Sequence, residues 1–252
     1  MIYFIGAGSG AVDLITVRGA EILRIAGRII YAGSLVNPEI LATYAREDCE
    51  IFDSSSMTLE EIMGLLVEGH EAGIVTVRLH SGDPAIFGAV REQMSILREK
   101  GIPFEVVPGV SSLFAASSAL KTEYMIPGGT QSLIVTRAEG RTPVPEREGL
   151  KSLAEHGASI AVFLSAGMCE KVCDELIAGG YDADTPAALV YRASWPDERI
   201  IRGTLSTLSE LSRGITKTAI ILAGDFLNDN DGAKSRLYDK NFSHEYRHSS
   251  IH

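Results

Sequence analysis

Two short stretches of this sequence place glycine, proline, serine and an acid together at the ends of hydrophobic runs. The first is His80-Ser-Gly-Asp-Pro-Ala-Ile-Phe-Gly88 and the second is Pro108-Gly-Val-Ser-Ser112. The run 74–79, Ile-Val-Thr-Val-Arg-Leu, reads as a strand entering the first, and the run 104–107, Phe-Glu-Val-Val, as a strand entering the second. Each stretch is expected to open a helix directly after its strand. Loops of this kind lie at the carboxyl edge of a parallel sheet, where open α/β folds bind ligands. Gly82 and Gly109 allow the backbone to approach a bound molecule closely, and Pro84 suits a first helical position. Asp83, immediately before Pro84, reads as a helix N-cap. Taken singly, either stretch is also what an ordinary βα turn looks like.

A third stretch, Gly6-Ala-Gly-Ser-Gly-Ala11, follows the first strand, Met-Ile-Tyr-Phe-Ile, and fits the dinucleotide fingerprint G-x-G-x-x-A. A nicotinamide (NAD) oxidoreductase is therefore one reading. That fingerprint needs an acid near the end of the second strand to hold a ribose hydroxyl. The second strand here ends at Tyr31-Ala-Gly-Ser34, and no Asp or Glu stands between Glu21 and Glu39.

The elements that would position these loops alternate along the chain. A helix is expected from about Thr16 to Ala26, a strand over 28–31, a helix from near Pro38 and a strand over 49–52. Thr58-Leu-Glu-Glu61 is a capping-box signature, with Leu59, Ile62, Met63 and Leu66 on one helical stripe. Beyond the glycine- and proline-punctuated segment 121–129 the alternation restarts. Strands are read at 132–136, 158–164, 187–191, 199–202 and 218–222, with a helix over 168–178 stopped by Gly179-Gly180. Strand and helix in alternation predict an α/β fold of parallel sheets flanked by helices. The expected organisation is two α/β domains, 1–120 and 130–252, with 121–129 as linker. No internal repeat is evident.

Composition narrows the function classes. Of 252 residues, 33 are acidic and 23 basic, a formal charge of -10. Nucleic acid as a generic partner is disfavoured, because phosphate binding needs a basic footprint. The cysteines are Cys49, Cys169 and Cys173, too few and too odd in number for a disulfide framework. Cys169 and Cys173 lie four apart on an expected helix and read as small core residues rather than metal ligands. One of the longer uncharged runs, 106–120, contains a proline and is too short to span a bilayer. With a first strand at the very start and no cleavage pattern before it, the expectation is a cytoplasmic protein without a membrane partner.

Together, the Gly82-Asp83-Pro84 and Pro108-Gly109 loops, Ser111-Ser112 and the Gly6, Gly8, Gly10 turn followed by Leu14-Ile15-Thr16 resemble the tetrapyrrole methyltransferases, or class III S-adenosylmethionine-dependent methyltransferases. The resemblance covers nearly the whole chain. Two positions depart from the family's glycine-rich turn: Ser9 stands where proline is usual and Ala11 where an acid is usual. The resemblance implies a tetrapyrrole methyltransferase fold, with the donor S-adenosylmethionine in a cleft between two α/β domains. Carried over residue by residue, it implies donor contacts from Ser81, Gly82, Asp83, Ile86, Ser111 and Ser112. Leu164 or Ser165, Ala193 and Ala219 would add to them. It also implies a homodimer. No catalytic residue is singled out, since attack by an electron-rich ring carbon on a sulfonium methyl can rest on positioning.

Three further segments narrow the resemblance. They are Thr136-Arg-Ala-Glu-Gly-Arg-Thr-Pro-Val-Pro-Glu146, Tyr191-Arg-Ala-Ser-Trp-Pro-Asp-Glu198 and Ser235-Arg-Leu-Tyr-Asp-Lys-Asn-Phe-Ser-His-Glu-Tyr-Arg247. They are similar to the branch of the family that methylates a precorrin-type macrocycle at C-11 in cobalamin biosynthesis, metal-free or cobalt-containing. The third segment would otherwise read as a loose polar tail; the resemblance implies order around 237–246. A precorrin carries many carboxylates and this protein is net acidic, so a local basic patch is needed. Arg137, Arg141, Arg192 and Arg199 are the candidates, Arg being suited to bidentate carboxylate binding. His244, His248 and His252 share a helical spacing that could mimic a metal site, but a frayed end is the preferred reading. His80 reads either as a contact beside the Gly-Asp-Pro loop or as a satisfied strand-end histidine. Methylation at another ring position, the NAD oxidoreductase and a non-enzymatic tetrapyrrole carrier are the alternative readings.

Overall fold

The computed structural model describes residues 1–228, 235–239 and 241–247. The chain divides into two compact units. The first is Met1–Ala116 together with Arg192–Glu198, and the second is Ser117–Tyr191 together with the residues from Arg199 onward.

The first unit contains β1 (Ile2–Gly6), α1 (Val17–Ile25), β2 (Arg28–Tyr31), α2 (Pro38–Tyr44), β3 (Glu50–Asp53), α3 (Leu59–Glu71), β4 (Thr76–His80), α4 (Arg91–Glu99), β5 (Phe104–Val107) and the start of α5 (Ser112–Leu120). Its sheet runs β3-β2-β4-β1-β5 with every pairing parallel. Side chains alternate across the pleat. Ile2 and Phe4 join Ile62, Met63, Leu66 and Leu97 of α3 and α4 on one face. Ile5, Val77 and Leu79 join Ala20, Leu23, Ile40 and Leu41 of α1 and α2 on the other. Covered on both faces, β4 is buried at all five of its residues, as a central parallel strand must be. Three of this unit's helices start at polar caps. Thr16 accepts from the Gly19 amide, Asn37 accepts from Glu39 before Pro38, and Thr58 with Glu61 completes the capping box.

The strand order fixes where a ligand can enter. The chain leaves β1 toward β2 on one side and leaves β4 toward β5 on the other, and the following helices cover opposite faces. Strand order therefore reverses between β1 and β4. At such a switch point the loops beyond the carboxyl ends diverge and leave a crevice.

The second unit contains β6 (Leu133–Arg137), α6 (Leu150–Ala154), β7 (Ser159–Phe163), α7 (Cys169–Ala178), β8 (Pro186–Tyr191), β9 (Arg199–Thr204), α8 (Leu208–Leu211) and β10 (Ala219–Ala223). Its sheet order is β6-β7-β10-β8-β9. Only β6 and β7 pair in parallel; β10 runs antiparallel to β7 and β8, and β9 antiparallel to β8. Here the expected all-parallel sheet is replaced by a mixed one. The stretch Arg192–Glu198 between β8 and β9 is too short for a crossover, which takes a dozen residues or more, so the two strands must form a hairpin. Cys169, Val172, Cys173 and Leu176 of α7 pack with Ile160, Val162, Leu189 and Ile221 in this unit's core. The described residues 235–239 carry a 3-10 turn at Arg236–Tyr238. The Arg247 guanidinium donates to the carbonyls of Leu237, Asp239 and Phe242.

Candidate active site

Three loops meet at the carboxyl edge of the first sheet, and backbone bonds stitch them together. The Ala7 amide donates to the His80 carbonyl at 2.7 Å; Gly8 and Gly82 exchange both of their amide-to-carbonyl bonds at 3.2 and 2.8 Å. The loop after β5 completes the set. A Cβ on Gly6 would stand 2.5 Å from the Gly82 carbonyl oxygen and 2.6 Å from Gly109 Cα. A Cβ on Gly109 would stand 2.1 Å from the same oxygen. Only glycine fits at these two positions. Asp83 ties the arrangement: its Oδ2 accepts from the Gly109 amide at 2.9 Å and its Oδ1 from the Ala85 amide at 2.8 Å.

The Asp83-Pro84 pair does not open an α-helix. It begins a turn, and α4 starts only at Arg91. Phe87 and Ala89 hold φ values of 53° and 48°, which break any helix across 84–90. The carboxylate therefore caps a turn amide and clamps a neighbouring loop. The second stretch behaves as expected: Ser111 precedes α5, with its Oγ accepting from the Leu113 amide at 3.2 Å.

Beside 111–112 the loops leave room where the family resemblance implies an S-adenosyl donor. Gly82, at φ +62°, would carry a Cβ only 3.7 to 3.8 Å from Ser111 Cα and the Ser112 amide. A side chain there would fill the space beside 111–112, which glycine leaves as a cradle with backbone polar groups on both sides. Ser81, Gly82, Asp83 and Ile86 are half-buried in that loop, and Ser111 is buried beside the half-buried Ser112.

His80 ends β4, immediately before the Ser81-Gly82-Asp83 loop. It is 5% exposed, stacks on the Phe4 ring and leaves Nε2 without a hydrogen-bond partner. Burial, reinforced by the nearby Arg78 guanidinium, pushes its pKa down to about 3, so the ring is neutral. Arg78 is itself buried and held below its ordinary value, at about 10, by desolvation; it donates to the Ile30 carbonyl and to Gln93. His80 is therefore a core histidine without a full set of partners.

The Gly6-to-Ala11 loop is gripped by residues that the sequence reading did not single out. Trp195 Nε1 donates to the Ser9 carbonyl at 3.0 Å, and Ser194 Oγ accepts from the Ala11 amide at 3.0 Å and meets Ser9 Oγ at 2.8 Å. Asn37 Nδ2 donates to the Gly10 carbonyl at 2.9 Å. The dinucleotide geometry is absent. The loop leads into a 3-10 turn, Val12–Leu14, and α1 begins at Val17 under its Thr16 cap. The loop thus does not open directly into a helix, as pyrophosphate binding requires.

In the second unit the candidates gather along one sheet edge. Arg137 ends β6 opposite Phe163 of β7, Leu164 and Ser165 follow β7, and Ala219 and Arg199 both pair with Tyr191 at the end of β8. Leu164 is 66% exposed at φ 56°, while buried Ser165 donates to the Phe163 carbonyl and accepts from the Ala138 amide. Arg137 is spent on its own loop, donating to the carbonyls of Ala138, Thr142 and Pro143. Arg141 is exposed, and Arg199 lies over the Tyr191 ring. In the first unit Arg192 pairs with Asp197 and covers the Trp195 ring, and Ala193 is buried. His244 makes a bridge with Arg247; His248 and His252 lie outside the described residues. Among the described residues no helix is long and apolar enough to cross a membrane, and no cluster of His, Cys, Asp and Glu could hold a metal ion.

The sequence profile of the Tetrapyrrole (Corrin/Porphyrin) Methylases matches residues 1–209. The chain is 50% identical over 250 residues to the cobalt-precorrin-4 C(11)-methyltransferase of Methanocaldococcus jannaschii, covering 98% of this chain and 96% of that protein. It is 42% identical to the precorrin-4 C(11)-methyltransferase of Pseudomonas aeruginosa, covering 98% of each. Among solved structures it is similar to a cobalt precorrin-4 methyltransferase, with a TM-score of 0.87 and 47% identity over 90% of this chain and 95% of that one. It is also similar to the uroporphyrin-III C-methyltransferase of Thermus thermophilus complexed with S-adenosyl homocysteine. There the TM-score is 0.76 and the identity 28%, over 90% of this chain and 98% of that one.

Proposed function

This chain belongs to the tetrapyrrole (corrin/porphyrin) methylases, and we propose that it methylates C-11 of a precorrin-4-type macrocycle in cobalamin biosynthesis, with S-adenosylmethionine as donor. The observation that carries the reading is the cradle at the switch point. Gly6, Gly82 and Gly109 pack backbone against backbone with Asp83 as their clamp, beside 111–112. The similarity of the whole chain to cobalt-precorrin-4 and precorrin-4 C(11)-methyltransferases supports the substrate. The relative complexed with S-adenosyl homocysteine supports the donor.

Bound, the donor supplies an electrophilic methyl group on a sulfonium. The protein's part is to hold and orient. Ser81, Gly82, Asp83, Ile86, Ser111 and Ser112 would line the donor, with Leu164, Ser165, Ala193 and Ala219 as further contacts. The Asp83 carboxylate adds negative charge beside a cationic ligand while its oxygens accept backbone amides. No general base is needed at the attacking carbon, and transfer rests on orientation. Arg137, Arg141, Arg192 and Arg199 would face the macrocycle's carboxylates. The resemblance to the family further suggests a homodimer, and we place the protein in the cytoplasm. Turnover with a labelled donor and either metal-free or cobalt-loaded precorrin-4, with the product located by mass and NMR, tests the reading. A methyl group at another ring carbon, or binding of NAD in place of S-adenosylhomocysteine by calorimetry, would overturn it.

A further inference from the structure

The loop after β1 contains two glycines in conformations that side chains resist: Gly8 at φ +83° and Gly10 at φ +151°. A peptide of this kind loses much backbone freedom when fixed, so something outside it must hold it. The holder is Arg192–Glu198, the segment that leaves the second unit's hairpin and groups with the first unit. A Cβ on Gly10 would stand 2.0 Å from Trp195 Cδ1 and 2.2 Å from Nε1, so the indole abuts bare backbone. Ser194 takes the Ala11 amide and the Ser9 hydroxyl, and Trp195 takes the Ser9 carbonyl. The two departures from the family's usual turn, Ser9 and Ala11, thus fall where Ser194 reads the loop.

The holder is itself built to be rigid. Ser194 sits at φ 69° and Arg192 at φ 47°, strained for non-glycine residues. The strain is countered locally: the Ser194 amide donates to Glu198 Oε2 at 2.6 Å, Arg192 pairs with Asp197 at 2.8 Å, and its guanidinium covers the Trp195 ring at 4.7 Å. From this loop the backbone bonds of Gly8 with Gly82 lead directly to the donor cradle.

We infer that Ser194 and Trp195 are positioning residues for methyl transfer: they fix residues 9–11 at the switch point so that the macrocycle is presented to the donor. The inference rests on the function proposed above. It assigns no contact with the donor to either side chain.

The full-length protein is compared with Ser194→Gly, which removes the hydroxyl and relieves the positive φ, and with Trp195→Phe, which keeps a ring and removes the indole N–H. Turnover of precorrin-4 should fall about tenfold in kcat/KM in each variant, as expected for misplacement and a lost hydrogen bond. The S-adenosylhomocysteine dissociation constant should change by much less than kcat/KM, because neither replaced side chain is assigned a contact with the donor. Amide exchange followed by mass spectrometry should quicken in the peptide containing Ala11 and not in peptides of β7 or α7. Trp195 is the only tryptophan, so acrylamide quenching of Ser194→Gly reads loosening of the segment without any substrate. A lowered urea midpoint with unchanged precorrin-4 kinetics and unchanged Ala11 exchange would overturn the inference and leave a purely structural contact. If the parent binds S-adenosylhomocysteine but methylates no precorrin, the proposed function falls, and the presentation of the macrocycle falls with it. Unchanged kinetics in variants of an active parent overturns the inference alone.

Discussion

The amide of Gly109 donates to Oδ2 of Asp83 at 2.9 Å, joining the loop after β5 to the loop after β4. This one bond makes a polar residue of the candidate donor site also a fastener of the fold. Asp83→Ala should therefore lower both properties. Two backbone amides lose their acceptor, a cost of about 1–2 kcal/mol in unfolding free energy. The loss of negative charge beside a sulfonium should weaken S-adenosylhomocysteine less than it weakens the cationic donor. Urea unfolding and calorimetry with both ligands check this. A variant of normal stability that loses only donor affinity would show that the clamp is not energetically important.

The glycine contacts give a sharper test. Gly109→Ala forces a methyl group against the Gly82 carbonyl oxygen, with backbone on both sides and no flexible side chain to move. It should cost about 1–3 kcal/mol or more, in the manner of an overpacked core, and abolish donor binding. Gly64→Ala is the control. It lies inside α3, where an added Cβ meets nothing within 4 Å. That variant should gain about 0.5–1 kcal/mol from helix propensity. Thermal or urea midpoints of the two variants should move in opposite directions.

The loops that make the cradle were legible because glycine, proline and acid at strand ends have few other uses. The use of Asp83 was not, since its second oxygen serves Gly109, a neighbour that only the β4-β1-β5 order brings near. The helix expected at Pro84 failed for a local reason, the positive φ of Phe87 and Ala89, which no residue-type preference announces. The direction of strands in the second sheet was hidden as well. An alternating pattern of strand and helix says little about a hairpin such as β8 and β9. Trp195 could have been noticed as a lone tryptophan in a loop; its partner Gly10 could not, because the two stand far apart in the sequence.

His80 sets a pH signature. Its pKa is about 6.5 in an unfolded chain and about 3 when buried beside Phe4 and Arg78. Between these values the unfolded state binds the proton and the folded state does not, so stability rises with pH across that window and falls on acidification. The slope from this one group approaches ~1.4 kcal/mol per pH unit in mid-window. His80→Phe, which keeps a ring against Phe4, should flatten the dependence between pH 4.5 and pH 6.5 and leave the pH dependence above pH 7 unchanged. Urea titrations at a series of pH values measure the difference directly. An unaltered slope would mean that His80 accepts its proton without cost.

Arg137 and Arg141 share one loop and should behave differently. The Arg137 guanidinium spans the carbonyls of Ala138, Thr142 and Pro143, the last at 2.7 Å, so its fork shapes the loop that follows β6. Arg137→Lys cannot reproduce that fork with a single ammonium. It should therefore resemble Arg137→Ala, raising the KM for precorrin-4 with little change in donor affinity. Arg141 is exposed and holds nothing of its own loop among the described contacts. Its contribution would be charge, and Arg141→Lys should keep it. Arg141→Ala should raise KM mainly at low ionic strength, because an exposed pair is worth at most about 1 kcal/mol and is screened by salt. Steady-state kinetics at low and high salt separate the two. Equal rescue of both positions by lysine would mean that Arg137 acts as a charge and that the loop keeps its shape without the fork.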